Sequence, residues 1–235
     1  MKGAGARRAR AALRKHADPE KAKFLTRFFK SGPGEYAEGD VLIGVKVPQT
    51  RLVAREFREL PLADLGELLD SEIHEERLLA LIILTHRFKK EPEAVYRLYI
   101  KKLRRVNNWD LVDTSAPAIV GGWLKDKDRR LLDKMAASKS LWERRVAMLA
   151  TLLWIRQGDC ADVWRLAEKL VSDREDLMHK AVGWMLREAG RHEPQGLEEF
   201  LDRHCRTMPR TMLRYAIEKL PKTRRTAYLL ARDKS

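Results

Sequence analysis

Ser140-Leu-Trp-Glu-Arg-Arg-Val-Ala-Met-Leu-Ala-Thr-Leu-Leu-Trp154 is the stretch that decides the fold. Ser140 with Glu143 three residues later is a capping-box arrangement, in which hydroxyl and carboxylate each take an orphan backbone N–H at a helix start. The segment that follows is apolar around nearly its whole circumference, so it is expected to be sandwiched between neighbouring helices. Ser172 with Glu175 repeats the pattern, and further helix-start signals stand at Ser71, at Asn107 or Asn108, and at Thr207. Between successive starts lies a second amphipathic segment, over 94–105, 127–137, 161–171 and 197–205. Two helices every 32 to 37 residues predict an all-α fold, an α-solenoid of stacked helix pairs with regular repeats from about residue 71.

Ahead of the repeats, Asp18-Pro19 marks a helix start reaching Phe29, and 31–40 is a turn-rich loop. Helices from about Gln49 and Leu62 lead into the array. Only the short 41–47 stretch alternates with period two, so no sheet is expected. The chain is read as one domain over 1–235, its first 18 residues forming a mobile basic terminus.

With 48 Lys and Arg against 34 Asp and Glu, the formal net charge is +14. Such an excess attracts nucleic acid or an anionic membrane surface through counterion release. Nucleic acid is the better fit, because no amphipathic segment stands apart from the helices the core needs. Residues 2–30 hold ten Lys and Arg against Asp18 and Glu20 alone, and 203–234 hold ten more. These clusters would form either the rims of a concave basic groove or solvated tails. Cys160 and Cys205 lack metal-like spacing, so neither a disulfide framework nor a zinc site is indicated. The longest purely apolar run, 78–84, is too short to span a bilayer, and no apolar stretch follows the leading basic residues. A cytoplasmic monomer without membrane association, metal or cofactor is expected, associated with the nucleoid if the source is bacterial.

Asn107-Asn-Trp-Asp-Leu-Val-Asp113 places an aromatic face at Trp109 and a carboxylate at Asp113 one helical turn apart, pointing the same way. Near a helix N-terminus the dipole favours an ionised Asp113, a group suited to stabilising positive charge or orienting water rather than donating a proton. An ordinary helix-end acid is the competing reading. Arg145 stands near the start of its own helix, where a cation needs an anionic answer; a phosphate and a structural carboxylate suit it equally. Trp184 falls about 200 degrees from Val182 on a helical wheel, off the stripe formed by Met178, Val182, Met185, Leu186 and Ala189. That suits a ligand surface, although burial between repeats would also hide it. Trp123, Trp142, Trp154 and Trp164 fit core positions, and His74-Glu75-Glu76 lacks the second His of a zinc helix and reads as surface. Leu42-Ile-Gly-Val-Lys-Val-Pro48 carries no phosphate-loop pattern. No catalytic triad can be assembled.

Taken in order, Phe28-Phe-Lys-Ser-Gly-Pro-Gly-Glu-Tyr-Ala-Glu-Gly-Asp40, Ile43-Gly-Val-Lys-Val-Pro48, Asn108-Trp-Asp-Leu-Val-Asp113, Trp142-Glu-Arg-Arg145 and Lys180-Ala-Val-Gly-Trp-Met-Leu-Arg-Glu188 resemble the AlkD-type DNA alkylation-repair glycosylases, a family of HEAT-like-repeat proteins. The resemblance runs from about Lys23 to Leu220. It implies hydrolytic removal of cationic N3- and N7-alkylated purines from duplex DNA in base excision repair. Trp109 and Asp113 would be catalytic, Trp184 would sit at the lesion nucleotide and Arg145 near its backbone, with Lys46 and Lys180 as DNA-binding positions. An alkylated purine is already a cationic leaving group, so its departure needs no general acid. No lysine is placed as a Schiff-base nucleophile, so hydrolysis without strand cleavage is expected. Non-catalytic binding of damaged or branched DNA within the same family, and a solenoid scaffold for a protein partner, are the alternatives.

Overall fold

Asp18 turns the chain into helix because its carboxylate accepts the N–H groups of Glu20 and Lys21, both at 3.1 Å, while Pro19 presets the first helical φ. In the computed structural model, which describes residues 3–231, α-helices of this kind follow one another throughout. No strand occurs among the described residues; Val41 and Ile73 form an isolated bridge. The fold is all-α, as the repeat spacing predicts. Lys2, Arg232 and Lys234, part of the two basic clusters, lie outside the described residues. Two compact units divide the chain, Met1–Ile119 and Val120–Ser235.

The first unit contains α1 (Ala4–Arg14), α2 (Pro19–Phe28), α3 (Val47–Glu56), α4 (Leu62–Leu69), α5 (His74–Arg87), α6 (Pro92–Lys101) and α7 (Trp109–Ala116). Its centre is α5, whose apolar run Leu78 to Leu84 is wholly buried and which packs against α3, α4, α6 and α7. Residues 4–14, expected as part of a mobile terminus, form α1 instead. Ala6, Ala9 and Leu13 recur on one face and bury it against α3 and α4.

The start of α5 overturns the surface reading of His74-Glu75-Glu76, since all three side chains are buried. Each is buried because each is answered. Glu76 pairs with Arg10 at 2.9 Å and Arg14 at 3.4 Å, fastening α1 to α5. One oxygen of Glu75 accepts the backbone N–H groups of Ile43, Gly44 and Val45 at 3.1, 2.8 and 3.2 Å. Gly44 has φ +82°, and a Cβ there would lie 2.1 Å from the Asp18 carbonyl oxygen, so glycine alone lets this loop pass the start of α2.

His74 is 1% exposed, with Nδ1 3.1 Å from Asp40 and Nε2 2.8 Å from Asp110. Burial opposes its charge, but the charge and hydrogen bond of Asp110 and the hydrogen bond of Asp40 prevail and raise its pKa to about 9. Asp40 also stands 2.6 Å from the Arg77 guanidinium. Burial works against the Asp40 anion, yet His74 and Arg77 hold its pKa below the usual carboxylate value.

The second unit contains α8 (Gly122–Leu124), α9 (Arg130–Ala136), α10 (Leu141–Ala150), α11 (Leu152–Ile155), α12 (Ala161–Leu170), α13 (Asp176–Ala189), α14 (Pro194–His204), α15 (Arg210–Ala216) and α16 (Lys222–Leu230). Ser140 caps α10, accepting the Glu143 N–H at 3.4 Å. Ser172 does not cap α13; the helix begins after Glu175, whose N–H is taken by Asp173 at 2.9 Å, and Asp173 also binds Arg144 at 2.6 Å. Gly183 lets α13 and α15 meet: a Cβ there would lie 2.5 Å from the Met212 carbonyl oxygen. Of the four tryptophans expected in the core, Trp154 alone is buried, its indole N–H donating to the Gly121 carbonyl at 3.1 Å. Trp123, Trp142 and Trp164 are half-buried, and the Trp164 N–H reaches Glu193 at 2.7 Å. Among the described residues no helix is long and apolar enough to cross a membrane.

Replacing Glu75 by Gln should destabilise the protein by about 3 kcal/mol, because a neutral amide cannot gather three buried N–H groups as a carboxylate does. Urea unfolding at neutral pH measures it. The His74 contribution runs with pH in a defined direction. Its folded pKa lies above the ordinary 6.5, so the stabilisation is whole below about pH 6.5 and is lost as pH rises through about 9. The urea midpoint should fall between about pH 6 and about pH 10, and His74→Gln should remove most of that difference.

Candidate functional site

Helix α7 starts where it does because Asn108 accepts the Trp109 N–H through its side chain at 2.8 Å and the Val112 N–H through its carbonyl at 3.1 Å. That start makes Trp109 the first helical residue and sets Asp113 one turn later. Both line a single cavity of about 1190 Å³ within the first unit. Each is half-buried, held by the helix yet open to the cavity. Burial, and to a smaller degree the negative charge of Asp113, keeps the phenol of Tyr99 protonated. Asp113 therefore lines the cavity within electrostatic reach of the buried Tyr99–Ser115 pair, whose oxygens are 3.2 Å apart.

The cavity wall facing α7 is aromatic. Phe29 stacks on Trp109 with centroids 5.4 Å apart and planes at 28°, while Phe28 meets the indole edge-on at 6.0 Å and 73°. Phe24 continues the row at 6.0 Å from Phe28, and both remain well exposed, at 60% and 51%. Behind Phe29 lies the His74 imidazole, 4.8 Å away at 32°. The i, i+4 spacing of Phe24 and Phe28 is the sequence signal for their shared face.

A third wall is basic. Lys46, at the N-cap of α3, lines the cavity together with Arg51 and Arg55, one turn apart on the same helix. All three are exposed, and no hydrogen bond or ion pair engages their side chains among the described residues. An opening with aromatic rings, the Asp113 carboxylate on the α7 wall and unpaired cations at its edge can take a flat cationic group attached to a polyanion.

The structure thus brings Trp109, Asp113 and Lys46 to one cavity. Trp184, Arg145 and Lys180 belong to the second unit. Trp184 is half-buried and off the apolar stripe of α13, as helical geometry predicts, and its N–H donates to Glu188 at 3.2 Å. Arg187 binds the same carboxylate at 3.0 Å. Lys180 pairs with Asp176 at 2.7 Å. Arg145 is 4% exposed and donates to the Leu177 carbonyl at 2.6 Å, an engagement that ties α10 to the first turn of α13. Among the described residues no group of three His, Cys, Asp or Glu side chains is placed to hold a metal ion.

Comparison with known proteins bears on the fold and the family. No curated protein matches the chain. Solved structures are similar in fold, among them these two. One, described as a predicted DNA alkylation repair enzyme from Enterococcus faecalis, is 18% identical, with a TM-score of 0.67 over 88% of this chain and 98% of that one. The other, AlkD2 from Streptococcus mutans, is 17% identical, with a TM-score of 0.53 over 91% and 98%. The family model described as DNA alkylation repair enzyme matches residues 9–220. With nearly the whole chain matched, this protein belongs to the DNA alkylation repair enzyme family.

Proposed function

We propose that the protein is a monofunctional DNA glycosylase that hydrolyses the N-glycosidic bond of cationic N3- and N7-alkylated purines in duplex DNA. The observation that carries this reading is the placement of Trp109 and Asp113, one turn apart on α7, on the wall of one cavity. The protein acts as a monomer and without a cofactor.

The chemistry asks little of a proton donor. The alkylated purine carries its positive charge before the reaction and leaves as a neutral base. The barrier lies at the sugar, where oxocarbenium-like charge develops as the bond breaks. A carboxylate at Asp113 lowers the energy of that charge and orients the attacking water. The Trp109 indole, backed by Phe29, offers its face to the cationic lesion and its sugar, which favours charged over neutral adducts. Lys46, Arg51 and Arg55 meet phosphates at the cavity edge, and Lys180 and Trp184 contact DNA from the second unit. Arg145, engaged with Leu177, serves by holding α13 rather than as a phosphate ligand.

Single-turnover release of 7-methylguanine from duplex DNA should be readily measured with the parent protein. Asp113→Asn should slow it by two to three decades, about 3 to 4 kcal/mol, while the Kd for the same duplex changes by about twofold or less. Trp109→Ala should cost about 0.5 to 2 kcal/mol in preference for lesion over undamaged duplex. Salt-sensitive binding with no base release by the parent protein would assign it to non-catalytic recognition of damaged or branched DNA. Failure to bind any duplex at low salt would favour a protein scaffold.

A further inference from the structure

The charged cluster at the cavity wall is more than a plug in the core. Both ring nitrogens of His74 face carboxylate oxygens, Nδ1 toward Asp40 and Nε2 toward Asp110. A neutral imidazole would set a lone pair against one of those oxygens, so the geometry itself calls for the imidazolium, with an N–H donated to each acid. The charged groups facing it are Asp40 from the loop before α3, Asp110 from α7 and Arg77 from α5 itself. Asp40 further accepts from the Asn107 amide at 3.1 Å. The cluster therefore grips the chain at 107 and at 110, on either side of Trp109. It also reaches the ring, since Phe29 lies between His74 and the indole.

We propose that His74 is a positioning residue for the α7 site: by holding Asp110 directly and Asn107 through Asp40, and by backing Phe29, it fixes the direction in which Trp109 faces the cavity. The proposal rests on the reading of Trp109 and Asp113 as the reaction site. A histidine that merely filled space would leave the indole indifferent to its protonation. A positioning histidine transmits its charge state to Trp109 along two routes, the first turn of α7 and the ring stack.

The test uses the full chain without DNA. The Trp109 indole N–H resonance, identified by its loss in Trp109→Phe, is followed with the His74 ring signals from about pH 6 to about pH 10.5. The indole resonance should shift with the His74 midpoint, near 9, and Asp110→Asn should lower both midpoints together. An indole signal that stays flat while His74 titrates, or that keeps its midpoint when that of His74 moves, overturns the proposal. On lesion duplex, His74→Gln should slow single-turnover release about 10- to 100-fold with Kd within about twofold. Undiminished release would also overturn it. A parent protein that releases no base would remove the glycosylase reading alone, and the NMR coupling would still decide the role of His74.

Discussion

Four charges meet at the start of α5 and cancel: His74 and Arg77 against Asp40 and Asp110. Ions taken this far out of water are tolerated only when each is paired and hydrogen-bonded, and removing one partner leaves an uncompensated charge in a poorly polarisable interior. That requirement makes the cluster a strict constraint on geometry. It joins the loop at Asp40, the first turn of α5 and the first turn of α7, which come from three separate stretches of chain. The position of Trp109 follows from it, because the residues gripped at 107 and 110 leave the intervening backbone little freedom.

The aromatic wall is secured differently. None of the residues of α2 is buried, so hydrophobic burial alone does not hold this helix. Its start is fastened instead by polar contacts, the Asp18 N–H donating to the Ile43 carbonyl at 3.0 Å while Glu75 gathers the amides of the same loop. Phe29 at its end is buried between His74 and Trp109. A helix pinned at both ends with exposed rings between them presents Phe24 and Phe28 to the cavity without committing them to the core.

What the sequence discloses and what it conceals divide along physical lines. Local signals read correctly: Asp18-Pro19, Asn108 and Ser140 each start a helix, because capping depends on residues within a turn of one another. Trp109 and Asp113 share a face for the same reason. Ser172 misleads because Asp173, next to it, takes the backbone N–H and anchors Arg144 as well. The charged start of α5 looks solvated because the sequence displays the polarity of His74, Glu75 and Glu76 but not their partners, which lie 30 to 66 residues away. The first helix is concealed by composition: alternating Ala and Arg read as a basic tail, yet Ala6, Ala9 and Leu13 are small enough to let α1 press closely on its neighbours. Trp164, expected in the core, is half-buried with its indole N–H donating to the Glu193 carboxylate.

In the proposed reaction, the charge that the leaving base already carries becomes a source of selectivity. His74 lines the cavity, but both its ring nitrogens face carboxylates and its side chain is almost wholly enclosed. Tyr99 is held protonated by burial and is enclosed with Ser115. A neutral base adduct needs a proton on its leaving nitrogen as the bond breaks, and neither group is placed to deliver one. A base whose alkylation has already made it cationic needs none. Discrimination between damaged and normal purines can then reside in the substrate's own charge, with the cavity supplying one carboxylate for the sugar and aromatic faces for the cation.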